Sequence, residues 1–257
     1  MKNLDQVKIS IITATFNSER TIRTTLDSVA SQSFENIEHI IIDGGSSDNT
    51  LMLLKDYPHI HKVISEKDDG IYDAMNKGIK NATGDIIGFL NSDDWFYKAS
   101  IIEEIVNAFD QNDVDAVYGD LVFVKNEDDI NPERTWISEP YKENLFLSGW
   151  IPPHPTFYAK TNIYKQYGLF DSNLMFAADF DIMCRFISKD GISTKYLPGY
   201  KVKMRLGGAT TKNLTNIIKG NIEIYNSLYK NGFNPGITFI IKKILTKLKQ
   251  IKLSKIR

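Results

Sequence analysis

Two adjacent carboxylates after an apolar run are the residues of this chain best suited to chemistry. Asp93 and Asp94 follow Ile86–Leu90, a run that predicts a buried strand, through the polar pair Asn91-Ser92. Acidic side chains at such a place favour a bound cation, because Mg²⁺ prefers one or two carboxylates together with phosphate oxygens. The alternative is a turn in which an Asp caps a helix, since Asp is common in both places.

Two other polar loops follow predicted strands and are expected to meet the first loop at one edge of a parallel sheet. These loops are Thr13–Asn17 and Asp43–Ser46. Ligands of open α/β sheets bind in the crevice outside the carboxyl ends of the strands. The Asp43 carboxylate can accept a hydrogen bond there from a base N–H or a ribose hydroxyl, or it can form a turn before the two glycines.

The elements that must position these loops alternate along the first 115 residues. The predicted strands are 7–13, 37–42, 61–65 and 86–90, and the predicted helices are 18–31, 49–57, 71–82 and 100–109. This alternation predicts an α/β fold with a mostly parallel sheet and helices on both faces. Strands at 116–125 and 134–137 predict an antiparallel or mixed extension, residues 145–158 have no clear assignment, and helices are predicted at 180–188 and 214–230.

The composition is that of an ordinary globular protein and argues against several classes. Of 257 residues, 42% are hydrophobic and 25% are charged, which suits one substantial core. The single cysteine, Cys184, excludes an internal disulfide and fits a reducing compartment. Neither G-x-G-x-x-G nor a P-loop motif occurs, which counts against dinucleotide oxidoreductases and P-loop NTPases. The polar start and the lack of a long apolar run predict neither a signal peptide nor a membrane span.

Residues 237–257 form a basic tail. They carry seven basic side chains and no acidic one, so the rest of the chain, with 24 basic and 32 acidic residues, has a formal charge of −8. This distribution is unlike that of a uniformly basic nucleic-acid binder. One helical face of the tail is apolar: Ile237, Ile240, Ile241, Ile244, Leu245, Leu248 and Ile251. Most lysines fall on the other face, which favours a helix in a membrane interface over a helix packed on the body.

Four polar strings occur in order along the first half of the chain. They read SIITATFN at 10–17, DGGSSDNT at 43–50, GIYDAMNKG at 70–78 and NSDD at 91–94. Each string alone is common, but their joint occurrence is specific. Residues 7 to 210 resemble family 2 glycosyltransferases with the GT-A fold, in particular bacterial members that build O-antigen, capsule or exopolysaccharide repeats.

The resemblance implies an organisation and a set of ligand-binding residues. It implies a GT-A domain at 1–212, with a nucleotide-sugar half at 1–115 and an acceptor half at 116–212, and then C-terminal helices at 213–257. The nucleotide-binding residues that it implies are Thr13, Thr15, Asn17, Asp43, Asn76, Lys77, Ser92 and Asp93.

The resemblance also implies a divalent metal, Mn²⁺ or Mg²⁺, that bridges the donor diphosphate and is ligated by Asp94. The family often has an Asp where Ser92 stands, so Asp94 is the chief ligand expected here. The family often has an Arg where Met75 stands, and this difference leaves the phosphate contact of Lys77 open.

Glycosyl transfer needs a base that takes the proton of the attacking hydroxyl, and the candidates are Asp179 and Asp181. In a helix, residues two apart do not share a face. Asp179 lies near the side that Phe180 and its apolar neighbours define, whereas Asp181 lies opposite and suits a surface ion pair with Arg185. Geometry and the resemblance both favour Asp179, although the Glu that the family places before it is Ala178 here. The alternative is an Asp that only caps the helix.

Two further residues are expected near the acceptor or the diphosphate. His154 lies in Ile151–Tyr158, where aromatic faces suit sugar rings, although it can equally be a structural histidine in a rigid loop. Arg205 lies in Met204–Gly208, which resembles the closing loop of the family, and a guanidinium there fits phosphate.

Together these features imply an inverting, metal-dependent glycosyltransferase. The expected donor is a UDP-sugar, and the expected acceptor is a saccharide on a polyprenyl-diphosphate lipid. The protein would be cytoplasmic and peripheral on the inner face of the membrane. An alternative enzyme is a nucleotidyltransferase that makes nucleotide-sugars, but Thr13–Asn17 lacks its usual glycine-rich basic loop. Another alternative is a non-catalytic glycan-binding or scaffold subunit, against which Asp93, Asp94 and Asp179 argue.

Overall fold

The protein is built on one mixed β-sheet with helices packed against it, in a computed structural model that describes residues 6–127, 129, 132–207, 214–236, 239 and 243. The strands are β1 (Ile9–Thr15), β2 (Ile37–Asp43), β3 (Ile60–Ser65), β4 (Ile86–Phe89), β5 (Trp95–Phe96), β6 (Ala116–Val124), β7 (Arg134–Trp136), β8 (Tyr158–Lys160) and β9 (Thr194–Arg205). The helices are α1 (Ile22–Ala30), α2 (Thr50–Leu54), α3 (Ile71–Asn81), α4 (Ile101–Asn112), α5 (Thr161–Tyr167), α6 (Ala178–Cys184) and α7 (Leu214–Lys230).

The first half of the chain forms the parallel part of the sheet, in the order β3-β2-β1-β4. Every residue of β1 and β4 is buried, as expected for strands covered by helices on both faces. The carboxyl ends of all four strands point to the same edge, so the loops that follow β1, β2 and β4 lie together. The predicted α/β architecture is confirmed.

Helix α3 packs closely on the middle of this sheet because of one glycine. A Cβ atom added to Gly78 would lie 2.4 Å from Cγ2 of Ile12, so only glycine allows this approach. On the same buried face lie Tyr72, Met75 and Ile79, at the spacing of a helix stripe. The close contact fixes the first turn of α3 near the carboxyl edge of the sheet.

The second half of the chain continues the same sheet in mixed directions. Strand β8 pairs antiparallel with β4 and β6, β6 pairs parallel with β9, and β9 pairs antiparallel with β5. The mixed extension is as predicted. Strands β5, β8 and β9 and helix α5 were not predicted. Strand β9 runs through Pro198-Gly199, and its pairing with β6 shifts register nearby, so the sequence there lacks a regular strand pattern.

The contact between the two halves depends on a second glycine. The ring of Tyr158 lies so close to Gly88 that an added Cβ would come within 2.0 Å of it. In the described part of the sheet, two residue pairs, Ile86–Lys160 and Ile87–Ala159, join β4 to β8. Parallel pairing changes to antiparallel pairing at this seam.

The C-terminal part begins with α7, which has the bounds predicted from the sequence. The predicted amphipathic helix over 237–257 lies outside the described residues except for Phe239 and Lys243. Phe239 is 2% exposed and belongs to the main apolar core. Among the described residues, no helix combines the length and apolar character needed to cross a bilayer.

Candidate active site

A cleft of about 460 Å³ opens at the carboxyl edge of β1 and β4. Its lining comes from the loops after β1, β2 and β4 and from the end of β9 with the residues that follow it: Asn17, Ser18, Glu19, Arg20, Thr21, Asp48, Ser92, Asp93, Arg205, Leu206 and Gly207. The predicted residues Asn17, Ser92, Asp93 and Arg205 are therefore in one cavity. The cleft holds both acidic and basic groups, as a site for a metal-bound phosphate requires.

Hydrogen bonds between loops hold the cleft together. Asn17 has a positive φ of 49°, and its side-chain oxygen accepts the backbone N–H of Ser47 at 2.9 Å. The backbone N–H of Asn17 donates to Oγ of Ser46 at 2.8 Å. The hydroxyls of Ser18 and Ser92 lie 2.9 Å apart. The three loops expected to meet are thus tied to one another.

Thr15 and Asp43 face each other at the ends of β1 and β2. Asp43 is fully buried, and its Oδ2 accepts hydrogen bonds from the backbone N–H groups of Gly45 and Ser46 and from the Ser65 hydroxyl. Its carboxylate therefore shapes the loop. The Thr15 hydroxyl is buried and has no hydrogen-bond partner among the described residues. Because buried polar groups normally have partners, it is suited to a ligand.

Thr13 takes a different place from the predicted one. Strand β1 continues to Thr15, so Thr13 lies inside the strand rather than in the loop after it. It has no exposed surface, and its hydroxyl lies 3.0 Å from Nε2 of His39. Alternation places Thr13 on the same face of β1 as Thr15, but the Thr13 hydroxyl is already in contact with His39.

Asn76 and Lys77 are also occupied within the protein. The Asn76 amide bonds both backbone groups of Phe170, donating to the carbonyl at 2.9 Å and accepting the N–H at 3.0 Å. Lys77 Nζ lies 2.9 Å from Glu66 and 3.3 Å from Asp73. Both residues therefore tie the middle of α3 to neighbouring segments, and neither is among the residues that line the cleft.

The carboxylates of Asp93 and Asp94 occupy different positions. Asp93 lines the cleft, whereas Asp94 is 0% exposed and accepts hydrogen bonds from Asn91 Nδ2 at 3.1 Å and from the Arg205 N–H at 3.2 Å. Burial raises the pKa of Asp93. Burial, followed by the charge of Asp93, raises the pKa of Asp94 well above its usual value. The raised pKa values show that the positive charge of Arg205 does not offset the burial of these two adjacent carboxylates.

The carboxylate oxygens of Asp93 and Asp94 are ligands of the type that a divalent cation such as Mg²⁺ prefers. Among the described residues, no group of three His, Cys, Asp or Glu side chains is arranged to hold a metal alone. An ion that takes most of its ligands from a diphosphate and water needs only one or two carboxylates from the protein. Asp93 is open to such an ion, and Asp94 lies behind the Arg205 segment.

The segment Arg205–Gly207 covers Asp94 and is held from outside by Glu127. A terminal nitrogen of Arg205 lies 3.2 Å from Oε1 of Glu127, which also accepts the Thr24 hydroxyl. The guanidinium of Arg205 lies 5.3 Å from the centre of the Trp95 ring. Glu127 thus connects α1 to the segment that covers the carboxylate pair.

A second group of side chains surrounds Asp179 in the first turn of α6. Its Oδ2 lies 3.0 Å from Nδ1 of His154, and its Oδ1 accepts the N–H of Phe180 at 2.8 Å and the Tyr72 hydroxyl at 3.3 Å. Burial, and next the charge of Asp179, raises the pKa of Tyr72 well above its usual value, so Tyr72 stays protonated and donates. Asp179 and His154 are each about a quarter exposed.

Asp179 and the cleft lie at the same edge of the sheet. Tyr72 is the second residue of α3, which follows the loop at the carboxyl end of β3. The antiparallel register of β8 on β4 places the residues before Tyr158, including His154, beyond the end of β4. The candidate base Asp179 therefore lies at the sheet edge that carries Asp93.

Asp181 was predicted to form an ion pair with Arg185 on the surface, and this predicted environment was wrong. Asp181 is 1% exposed and accepts hydrogen bonds from the Ser227 hydroxyl at 2.7 Å and from Asn231 Nδ2 at 3.2 Å. Its contact with Arg185, at 3.9 Å, is buried rather than on the surface. The face opposite Phe180 is covered by α7, which the helical pattern of α6 alone does not reveal.

Three residues of the site had no predicted role: Tyr72, Trp136 and Glu127. Tyr72 lies within one of the recognised strings, and its place one residue after the start of α3 was the available signal. Trp136 packs edge-on against His154, with ring centres 6.5 Å apart, and donates to the Ile151 carbonyl. Glu127 follows β6 in an acidic turn, and no local pattern indicates its contact with Arg205.

Comparison with known proteins agrees with this arrangement. Residues 10–185 match the model of Glycosyl transferase family 2. An uncharacterized glycosyltransferase of Rickettsia typhi is 28% identical over 237 residues, which cover 90% of this chain and 72% of the relative. An uncharacterized glycosyltransferase of Mycobacterium tuberculosis is 32% identical over 181 residues, 69% of this chain and 68% of the relative.

Solved structures show the same fold. Staphylococcus aureus TarS 1-349 in complex with UDP has a TM-score of 0.69 at 19% identity, over 92% of this chain and 68% of that one. The mannosyltransferase PcManGT from Pyrobaculum calidifontis, in complex with GDP-Man and Mn²⁺, has a TM-score of 0.68 at 16% identity, over 97% and 75%. The fold is GT-A, and the chain is a glycosyltransferase that belongs to family 2.

Proposed function

We propose that this glycosyltransferase moves a sugar from a UDP-sugar to a lipid-linked saccharide, with inversion and with a divalent metal. One observation carries the proposal. The adjacent carboxylates Asp93 and Asp94 and the contacting pair His154–Asp179 lie at the same sheet edge, one suited to the donor diphosphate and the other to the acceptor hydroxyl.

The donor side of the site binds the nucleotide and the diphosphate. The Thr15 hydroxyl, unpaired among the described residues, and Asn17 lie where the β1 loop can contact the nucleoside. Asp93, together with Asp94 once the covering segment moves, would hold Mn²⁺ or Mg²⁺. The metal, when bound, neutralises charge on the leaving diphosphate. Arg205 offers a guanidinium to the same phosphates.

The acceptor side takes the proton. The acceptor oxygen attacks the anomeric carbon, the bond from that carbon to the diphosphate oxygen breaks, and the hydroxyl proton passes to the Asp179 carboxylate. The Tyr72 hydroxyl donates a hydrogen bond to one oxygen of this carboxylate, and Nδ1 of His154 lies 3.0 Å from the other, so both residues position it. Trp136 beside His154 presents an aromatic surface of the kind that sugar rings pack on.

The lipid-linked acceptor and the place at the membrane are supported by charge. The tail at 237–257 carries seven basic side chains and no acid, and such segments are attracted to anionic lipid surfaces. The pathway that fits is the synthesis of a bacterial surface polysaccharide such as O-antigen, at the inner face of the cell membrane.

The change Asp179→Asn tests the proposal. It keeps the size of the side chain but removes the base, so turnover should fall by about 10²- to 10⁴-fold while the affinity for UDP stays unchanged. Turnover is measured with UDP-sugars and lipid-linked acceptors, and UDP affinity by thermal shift with and without Mn²⁺. The matched control is Asp110→Asn on α4, which should leave both quantities unchanged.

Two results would contradict the proposal. Near-normal turnover in Asp179→Asn would remove Asp179 as the base. Binding of UDP with Mn²⁺ by the unmodified protein, without transfer to any lipid-linked acceptor, would favour a non-catalytic scaffold.

A further inference from the structure

Arg134 on β7 is a half-buried cation without an anionic partner among the described residues. Its Nε is buried and makes no hydrogen bond, and its two terminal nitrogens, which make none either, keep exposed surface. Burial lowers the pKa of the guanidinium, and no carboxylate of the described part of the chain offsets this effect. A partly desolvated charge without a counter-charge costs free energy, so it indicates a ligand of opposite charge.

The acidic side chains near Arg134 in the sequence pair with other cations. Glu133, the preceding residue, pairs with Lys125. Glu127, at the start of the same turn, lies 3.2 Å from a terminal nitrogen of Arg205. The described acids of this turn therefore leave the charge of Arg134 uncompensated.

Arg134 shares one face of the sheet with Trp136. Residues two apart on a strand point to the same side, and cross-strand pairing places Arg134 opposite Phe123 of β6. The guanidinium carbon lies 3.6 Å from the centre of the Phe123 ring. The rings of Phe123 and Trp136 are nearly parallel, at 8°, with their centres 6.3 Å apart. Arg134 and Trp136 are about 7 Å apart along β7, since a strand rises about 3.4 Å per residue.

This row of side chains leads to the candidate base. The ring of Trp136 lies edge-on to that of His154, whose Nδ1 is 3.0 Å from Asp179. The Trp136 indole N–H donates to the Ile151 carbonyl, which fixes the orientation of the ring. The row therefore begins beside Asp179 and ends at an unmatched positive charge.

The positive charge of Arg134 lies outside the donor cleft. The residues that line this cleft include Arg205 but not Arg134. Arg134 is connected instead to the side of the site where His154 and Asp179 stand, through Phe123 and Trp136. An anion at Arg134 thus belongs to the acceptor rather than to the donor diphosphate.

We propose that the acceptor carries an anionic group next to the sugar that is glycosylated, and that Arg134 binds this group while Trp136 packs against the sugar ring. A planar guanidinium offers paired N–H donors that match the oxygens of a phosphate or a carboxylate. Such oxygens come either from the diphosphate that joins a saccharide to its lipid or from the carboxylate of an acidic sugar. The inference rests on the proposed function and deepens it by assigning a charge to the acceptor.

Three probes with the same hexyl chain and the same type of sugar ring separate these sources. Hexyl glucoside is neutral, hexyl glucuronide adds a carboxylate, and glucosyl hexyl diphosphate adds a diphosphate. Binding to the full chain is measured by calorimetry with saturating UDP and Mn²⁺, so that the donor cleft is occupied. At least one charged probe should bind about tenfold or more tightly than the glucoside, because hydrogen bonds to a charged group are strong. The charged probe that is preferred identifies the source.

The change Arg134→Gln removes the charge but keeps a polar side chain. It should lower the affinity for the preferred charged probe by about tenfold or more, to that of the glucoside, and leave the affinities for glucoside and UDP unchanged. Arg134→Lys should keep part of the preference, since it retains the charge without the planar fork. The matched control is Arg23→Gln, at an arginine that is more than half exposed and already pairs with Asp56, which should keep the full preference.

A second variant separates ring contact from charge. Trp136→Leu should weaken the binding of all three probes by a similar factor, because the indole contacts the ring that they share. Thermal unfolding is recorded for every variant, and Arg134→Lys carries the test if Arg134→Gln melts below the assay temperature.

Three results would overturn the proposal. They are equal affinities of the unmodified protein for the three probes, a preference for charged probes that survives in Arg134→Gln, and a similar loss for all three probes in that variant, which would limit Arg134 to packing on Phe123. Failure of the proposed function is read separately. It would appear as absence of transfer from UDP-sugars while the preference that depends on Arg134 remains.

Discussion

At the residue scale, the site depends on which carboxylates keep solvent-exposed surface and which are buried by hydrogen-bond partners. Asp93 and Asp179 keep exposed surface at the sheet edge, whereas Asp94 and Asp181 are buried by partners from distant parts of the chain. Helical spacing predicted the buried side of α6 from Phe180 and favoured Asp179. It placed Asp181 wrongly because the cover comes from α7. Residue spacing therefore predicts faces, and long-range packing decides which faces are open.

The contact between His154 and Asp179 predicts strongly non-additive effects on catalysis. In the proposed mechanism, Asp179→Asn removes the base, and His154→Gln removes the group that lies 3.0 Å from its carboxylate and orients it. If both act through one carboxylate, the double variant should be no slower than Asp179→Asn alone, although His154→Gln alone reduces kcat by about tenfold or more. The cycle is measured as kcat with saturating donor.

Additive losses would contradict this coupling. In that case His154 would act on the acceptor or the donor independently of Asp179. A useful control is His61→Gln, a largely exposed histidine on β3, which should not couple to Asp179.

At the element scale, the segment after β9 decides access to the carboxylate pair. Glu127 bonds Arg205 and Thr24, so it holds Arg205–Gly207 over Asp94. The change Glu127→Gln weakens the contact with Arg205. Because the Glu127–Arg205 ion pair is partly exposed, the effect on access to the carboxylate pair should be modest. We expect UDP with Mn²⁺ to bind about two- to fivefold faster, as measured by stopped-flow fluorescence.

The chain offers a matched control for this change. Glu133 lies at the far end of the same turn and pairs with Lys125, whereas Glu127 pairs with Arg205. Glu133→Gln should therefore bind UDP at the unmodified rate. Equal rates in Glu127→Gln and the unmodified protein would show that the segment moves independently of Glu127.

Elements with a regular pattern were predictable, and those fixed by long-range pairing were not. The parallel strands and α7 follow from buried β-branched runs and from helical periodicity. Strand β9 contains Pro198-Gly199 and alternates poorly, and it is held by its long pairing with β6. Thr13 was assigned to the start of a loop because the predicted strand ends at residue 13, two residues before β1 does.

At the scale of the whole molecule, a buried histidine links stability to pH. His39 is fully buried in β2, next to His59 and Thr13. Burial, and next the charge of His59, lowers the pKa of His39 from 6.5 to about 3. In the unfolded chain, the imidazole of His39 takes up a proton near pH 6.5. In the folded protein, it does so only near pH 3. The contribution to stability is therefore present above pH 6.5 and is lost as the pH falls.

Urea unfolding between pH 7 and pH 5 measures this loss. His39 should account for about 2 kcal/mol of the decrease in the free energy of unfolding over that range. His39→Asn should lower stability at pH 7 but show a flatter pH dependence. His61→Gln, on the exposed side of β3, should keep the slope of the unmodified protein. Equal slopes for all three would exclude His39 as the source.

The seam between β4 and β8 limits how the two parts of the sheet that it joins can change in evolution. A chain cut at residue 115 would leave β4 with an open edge, the kind of edge that promotes aggregation. The residues that would cover that edge come from the other side of the cut, and Gly88 is matched to the ring of Tyr158. The two parts of the sheet that meet at this seam therefore cannot be exchanged as separate modules, and new specificities must arise by changes within loops of one cooperative folding unit.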